Sequence, residues 1–215
     1  MAKQRMSTRE RLQLVDKSVQ ARVKRVRKRL LPIMQIGLAS GFAYFLAHDL
    51  AAAIKAGQET SLVSPFLWGT RRYINSLARV IPPVDNAVRT TRVLARRARV
   101  LADDHDSATP AQIELLDSLS QVCLELSEVY DVNSRVAQAT VIPQCVNELR
   151  AAGQKAGMDL IPENGVLSAY AILAQTRSLI VDLLMVCGMS HESALAALAP
   201  TSETPSVEPE TFDLD

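Results

Sequence analysis

Apolar positions along the chain gather into two long runs set among amphipathic stretches. The first, Leu30 to Ile54, reads LLPIMQIGLASGFAYFLAHDLAAAI and carries no charge from Leu30 to Ala47. A bilayer-crossing helix needs about 20 mostly apolar residues, so this run reads as a transmembrane helix. Frequent Gly and Ala and the absence of period-2 alternation argue against a strand. Pro32 falls in the first turn, where its missing N–H costs little. Gly37 and Gly41 form a G-x-x-x-G pair that lets another helix approach closely, so they are the helix-packing candidates. The second run, VLSAYAILAQTRSLIVDLLMVCGM, holds Arg177 and Asp182 near its middle. Charges there would be costly in lipid, so this run is expected to be the central helix of a soluble bundle. Arg177 and Asp182 are then structural ion-pair candidates, with each other or with neighbours. Gly188 is the expected C-cap, and Ser190 caps a last short helix that Pro200 stops.

The remaining segments are amphipathic or polar. Residues 1–29 form a basic arm in which Leu12, Val15, Val19, Val23 and Val26 recur at helical steps, a thin apolar stripe with cationic flanks. Such a helix suits an anionic leaflet. Residues 55–64 read as a linker, 65–199 as a helical domain and 200–215 as a disordered acidic tail. Within the domain, PFLWGTRRYINSLARV is expected to break at Pro82–Pro83, after which VDNAVRTTRVLARRARVLADD resumes as a cationic helix. Thr109 and Pro110 open the next helix as N-cap and first position. Ile113, Leu116, Leu119, Cys123, Leu126 and Tyr130 are its expected apolar face. Its carboxylates Glu114, Asp117, Glu125, Glu128 and Asp131 are expected to face the Arg-rich helix across a short antiparallel turn. Pro143 is expected to open a further short helix that ends at Lys155.

The net charge of +1 conceals a polarity that changes this picture. Residues 1–100 hold 20 Lys and Arg against 5 Asp and Glu, a charge of +15, and residues 101–215 hold 4 against 18, a charge of −14. Either the first half meets an anionic partner or the halves attract one another. No aromatic residue interrupts the basic arm to stack on bases, so a lipid bilayer is the expected partner and nucleic acid is not. A homo-oligomer through the hydrophobic helix is the second expected contact. The positive-inside rule keeps the arm cytoplasmic. The segment from Lys55 to Arg99 is basic as well, which conflicts with a single crossing. No cleavable signal peptide is expected.

Chemistry is sparse. His48, His105 and His191 lack partners at catalytic or metal-ligand spacing, and there is no phosphate-binding Gly loop. Asp49 reads as the interfacial end of the apolar helix. Cys123, Cys145 and Cys187 have no metal-ligand spacing and read as small buried apolar residues in a reducing compartment. No catalytic residue, cofactor or metal is expected, and the chain is not expected to be an enzyme. The fold class is all-α: one hydrophobic, transmembrane-type helix plus a helical-bundle domain of cytoplasmic type.

Three stretches carry a family resemblance. AQTRSLIVDLLMVCGMSHESALAAL, through Arg177, Ser178, Asp182, Leu183, Leu184, Gly188, Glu192 and Ala194, resembles the C-terminal signature of FUSC-type proteins of the actinobacterial kind. That is the fusaric-acid-resistance or aromatic acid exporter family. VDNAVRTTRVLARRARV, with Asp85, Asn86, Ala87, Val88, Arg89, Arg92, Leu94, Arg96 and Arg97, resembles a second stretch of the same domain. The basic arm followed by LLPIMQIGLASGFAYFLAHDL looks like the family's first membrane helix and its lead-in. The resemblance implies about six membrane helices before the cytoplasmic ones, whereas this chain has one such span. It also implies export of aromatic or other organic acids, a plasma-membrane location and a cytoplasmic helical domain. With one span, the chain is expected to be a shortened or accessory form that acts only in an oligomer. The rival expectation is a peripheral or soluble helical interaction protein whose basic arm binds anionic lipid or nucleic acid.

Overall fold

A computed structural model describes residues 68–132 and 135–210, together with Lys55. The basic arm, the apolar run with Gly37 and Gly41, and the linker apart from Lys55 lie outside the described residues. Among those described there are five α-helices and no strand: α1 (Trp68–Asp103), α2 (Pro110–Val132), α3 (Arg135–Lys155), α4 (Leu167–Val186) and α5 (His191–Ala196). A 3₁₀ turn at Met158–Leu160 joins α3 to α4. The all-α bundle is thus present.

The bundle is organised around α4. Its apolar residues leave almost no solvated side, and Ile180 and Leu184 are fully buried. α1 lies along α4, α2 packs on α3, and α3 and α5 both touch α4. The α1–α4 pair is antiparallel. Thr90, inside α1, bonds to Asp182 near the end of α4, whereas Thr109, just past α1, bonds to Leu160 just before α4. By length and composition α4 could cross a membrane, with mean hydropathy 1.4. Most of it is buried inside the bundle, which is what a core helix of this composition looks like.

Local signals fix several boundaries. Thr109 Oγ1 accepts from the Gln112 N–H at 3.2 Å, and the Gln112 side-chain oxygen accepts from the Thr109 N–H at 3.2 Å. This reciprocal pair is a capping box, and it satisfies two backbone donors at the start of α2. Gln112 is itself buried and donates to the Ala169 carbonyl, fastening α2 to the first turn of α4. α1 and α4 close alike. After α1, Asp106 N bonds to Leu101 O and His105 N to Ala102 O; after α4, Met189 N bonds to Leu184 O and Gly188 N to Met185 O. These are Schellman closures, and they put His105 at φ 62 and Gly188 at φ 99, the left-handed position each motif needs. Ser190 accepts from the Ser193 N–H, as its capping role requires.

Four expectations are corrected. α1 runs unbroken through Pro82 and Pro83. A proline inside a helix costs about 3 kcal/mol locally. Burial of Ala87 and packing of Val80 and Val84 against the core hold the flanking turns in place. α3 likewise includes Pro143, which sits on its exposed side and does not open the helix. The buried face of α2 is Gln112, Leu115, Leu119, Val122, Leu126 and Val129, rotated from the expected one by about one position. This set keeps strict three- and four-residue steps, and a helix with apolar residues on two faces follows its partner's shape. Finally, α1 pairs along α4 and not along α2. The turn after α1 does reverse the chain, but the continuous apolar surface of α4 offers a larger burial partner than the charged sides of α2.

The chain end also differs from the expected disordered tail. Residues 201–206 are exposed, but Glu210 meets the bundle: its N donates to Ala196 O, and Arg150 Nη2 donates to Glu210 Oε2 at 2.6 Å. Gln154 adds a contact to the Glu210 carbonyl. One well-placed acidic residue thus docks a segment whose composition reads as solvated.

Candidate functional site

A groove of about 780 Å³ opens between α1, α4 and α5. Its volume lies within the roughly 300–1,000 Å³ typical of small-molecule sites. From α1 come Asn86, Arg89 and Thr90, spaced so that one stretch of helix faces the opening. From α4 come Tyr170, Leu173, Arg177 and Val181 at steps of three and four, with Ser178 and Asp182 four apart beside them. His191 and Leu195 of α5, with Leu198, close the third side. The result is an apolar floor beneath a rim of two guanidinium groups, hydroxyls and one carboxylate.

Each charged group is held by a specific neighbour. Arg177 Nη1 donates to the Ala156 carbonyl at 2.6 Å, just past the C-terminal end of α3. A cation there meets the carbonyls left unpaired by the helix and the negative end of its dipole. Half-burial nonetheless lowers the Arg177 pKa from its ordinary value. Asp182 accepts a 3.1 Å hydrogen bond from Thr90 Oγ1, across 92 positions of sequence. Burial pushes the Asp182 carboxyl above its usual range, while the Thr90 hydroxyl and nearby His191 pull it partly back. Arg89, mostly exposed, is held over the rim by Asp85 at 2.8 Å.

Arg177 and Asp182 therefore share a groove without pairing with each other. Five residues apart on a helix, they point about 140° away from one another. Each finds its partner on a different neighbouring helix or turn, which is the second of the two alternatives their positions allowed. Sequence reasoning missed Thr90, Tyr170 and the Arg150–Glu210 ion pair. No spacing rule links positions so far apart, although Thr90 does fall inside one of the stretches that carry the family resemblance.

The cysteines diverge from their common reading. Cys145 is fully buried, with its thiol 3.8 Å from Glu125 Oε2, and burial followed by the Glu125 and Glu148 charges pushes it up to about 11. Burial pushes Cys187 up to about 12. Both stay protonated at neutral pH and are poor nucleophiles. Cys123 is exposed, contrary to expectation. Among the described residues no group of three His, Cys, Asp or Glu is placed to hold a metal ion.

Fold and groove together define a helical bundle with an amphipathic groove between three of its helices. The chain is similar to an uncharacterised protein of Corynebacterium glutamicum, 49% identical over 166 residues that cover 77% of this chain. The chain spans 42% of that protein's length. No family model and no solved structure matches the chain.

Proposed function

We propose that this chain is a shortened or accessory form within a class of exporters of aromatic and other organic acids. On this reading its N-terminal apolar helix sits in the plasma membrane, the N-terminus and the helical domain are cytoplasmic, and the chain works only in an oligomer. One observation carries the reading: the two domain stretches that resemble the FUSC family come together across the α1–α4 interface and jointly line the groove. Asp85–Arg97 supplies Asn86, Arg89 and Thr90, while the later stretch supplies Arg177, Ser178, Asp182 and His191. Guanidinium groups over an apolar floor suit a carboxylate with an apolar body, because the anion is paired while the remainder leaves water.

Efflux tests this directly. Cells making the chain and loaded with labelled 2-naphthoate should lose it faster than cells making Arg177→Gln at matched membrane abundance. Equal efflux from both and from cells lacking the chain would contradict the proposal.

A second reading has its own support. Arg89, Arg92, Arg96, Arg97 and Arg99 are all exposed on α1, as on a peripheral protein that meets anionic lipid or nucleic acid. A wash at high salt separates the two: it strips a peripheral protein and leaves an inserted one in the membrane.

A further inference from the structure

We propose that two copies of this chain associate through complementary charged stripes, the basic stripe of α1 meeting the acidic stripe of α2 in the other copy. This names a surface for the oligomer proposed above and rests on that part of the reading alone. On α1, Arg89, Arg92, Arg96 and Arg99 recur at steps of three, four and three, and all four are exposed. On α2, Glu114, Asp117, Gln121, Glu125 and Glu128 recur at steps of three, four, four and three, and only Glu125 is partly covered. Such steps put each set on one helix face, and the two sets have matching pitch.

α1 is committed to α4, and its ion pairs Asp85–Arg89 and Arg99–Asp103 run along its own turns. Arg99–Asp103 joins two exposed side chains at 3.8 Å, so it is weak and can be exchanged for contacts with a facing helix. Apolar residues lie beside both stripes: Val100 on α1 is 37% exposed and Leu124 on α2 is 56% exposed. Next to Leu124, a cleft of about 230 Å³ between α1, α2 and α4 is walled by Leu94, Leu116, Leu119 and Cys123. An apolar seam edged by opposite charges is how paired helices choose partner and register. A second copy carries both stripes at once, so a two-fold arrangement satisfies α1 to α2 and α2 to α1 and then closes. Nucleic acid would engage only the basic stripe and would be repelled by the acidic one.

The full chain in detergent micelles at low salt provides the test, with a photoreactive benzoylphenylalanine replacing Val100. Illumination should give a cross-linked dimer whose joined peptides are residue 100 of one copy and the 117–128 segment of the other. R96E/R99E and D117R/E128R should each reduce that dimer by about tenfold while keeping their helical circular dichroism. Mixing the two variants should restore it, because each then offers the stripe the other needs. No dimer from the unaltered stripes, a dimer indifferent to both reversals, or no recovery on mixing would overturn the proposal. Loss of the cross-link on adding DNA oligonucleotide, with DNA joined to residue 100, would transfer the basic stripe to nucleic acid. Export plays no part in this readout, so the exporter reading can fail while the association stands.

Discussion

α4 and α1 are packed against each other over most of the length of α4, yet they are built on opposite principles. α4 is apolar on nearly every side, so its burial follows from composition alone. α1 carries exposed arginines along most of its outer surface and is buried only through a narrow line that includes Pro83, Ala87, Leu94, Ala98 and Leu101. The difference teaches that the charge count of a helix describes its outer face and says little about its partner. A stripe of small and aliphatic residues suffices to dock a strongly cationic helix on the core.

The comparison can be broken from either side. Leu184→Ala, at a fully buried site on α4, should cost about 3 kcal/mol or more in chemical denaturation, since it removes packed methyl groups and leaves a cavity. Leu94→Ala on α1 should cost about 2–3 kcal/mol; a loss below about 0.5 kcal/mol would mean that α1 is not docked on α4. Gln112→Ala should cost about 2 kcal/mol through loss of the capping box and of the bond to Ala169, read by the same unfolding curves.

A smaller effect depends on pH. The folded-state pKa of Asp182 is raised, so folding disfavours its ionised form. The cost is fully present above the folded pKa and disappears as pH falls below the unfolded value. Asp182→Asn should therefore stabilise the domain at neutral pH, with a gain that vanishes in acid; thermal melts across that range check the sign. At the bottom of the scale, Arg96→Gln should change stability by less than about 0.5 kcal/mol, because it sits on the solvated face of α1.

Much of this was legible in the sequence where the signal is local. The hydrophobic density of α4 announced the core helix, and Thr109, Gly188 and Ser190 announced their caps because capping needs only a few adjacent residues. The capping-box partner Gln112 carried the same signal three positions on. What stayed hidden depends on distant partners. The register of α2 is set by α3, and the continuity of α1 through two prolines is set by its neighbours. The groove forms because Thr90 and Asp182 meet across 92 positions, and Arg177 turns to the end of α3 instead of to Asp182. Glu210, in a tail whose composition signals disorder, is tied down by one arginine. Composition reports averages, and these contacts are individual.

The central claim is that α1 and α4 meet at Thr90 and Asp182 and so build the groove. A double-mutant cycle with Thr90→Val and Asp182→Ala tests it most directly, with stability followed by denaturant unfolding. The account predicts non-additivity of about 1 kcal/mol, because each single change removes the same hydrogen bond. Additive effects, within about 0.3 kcal/mol, would show that the two residues do not meet, and the groove with its family stretches would lose its basis.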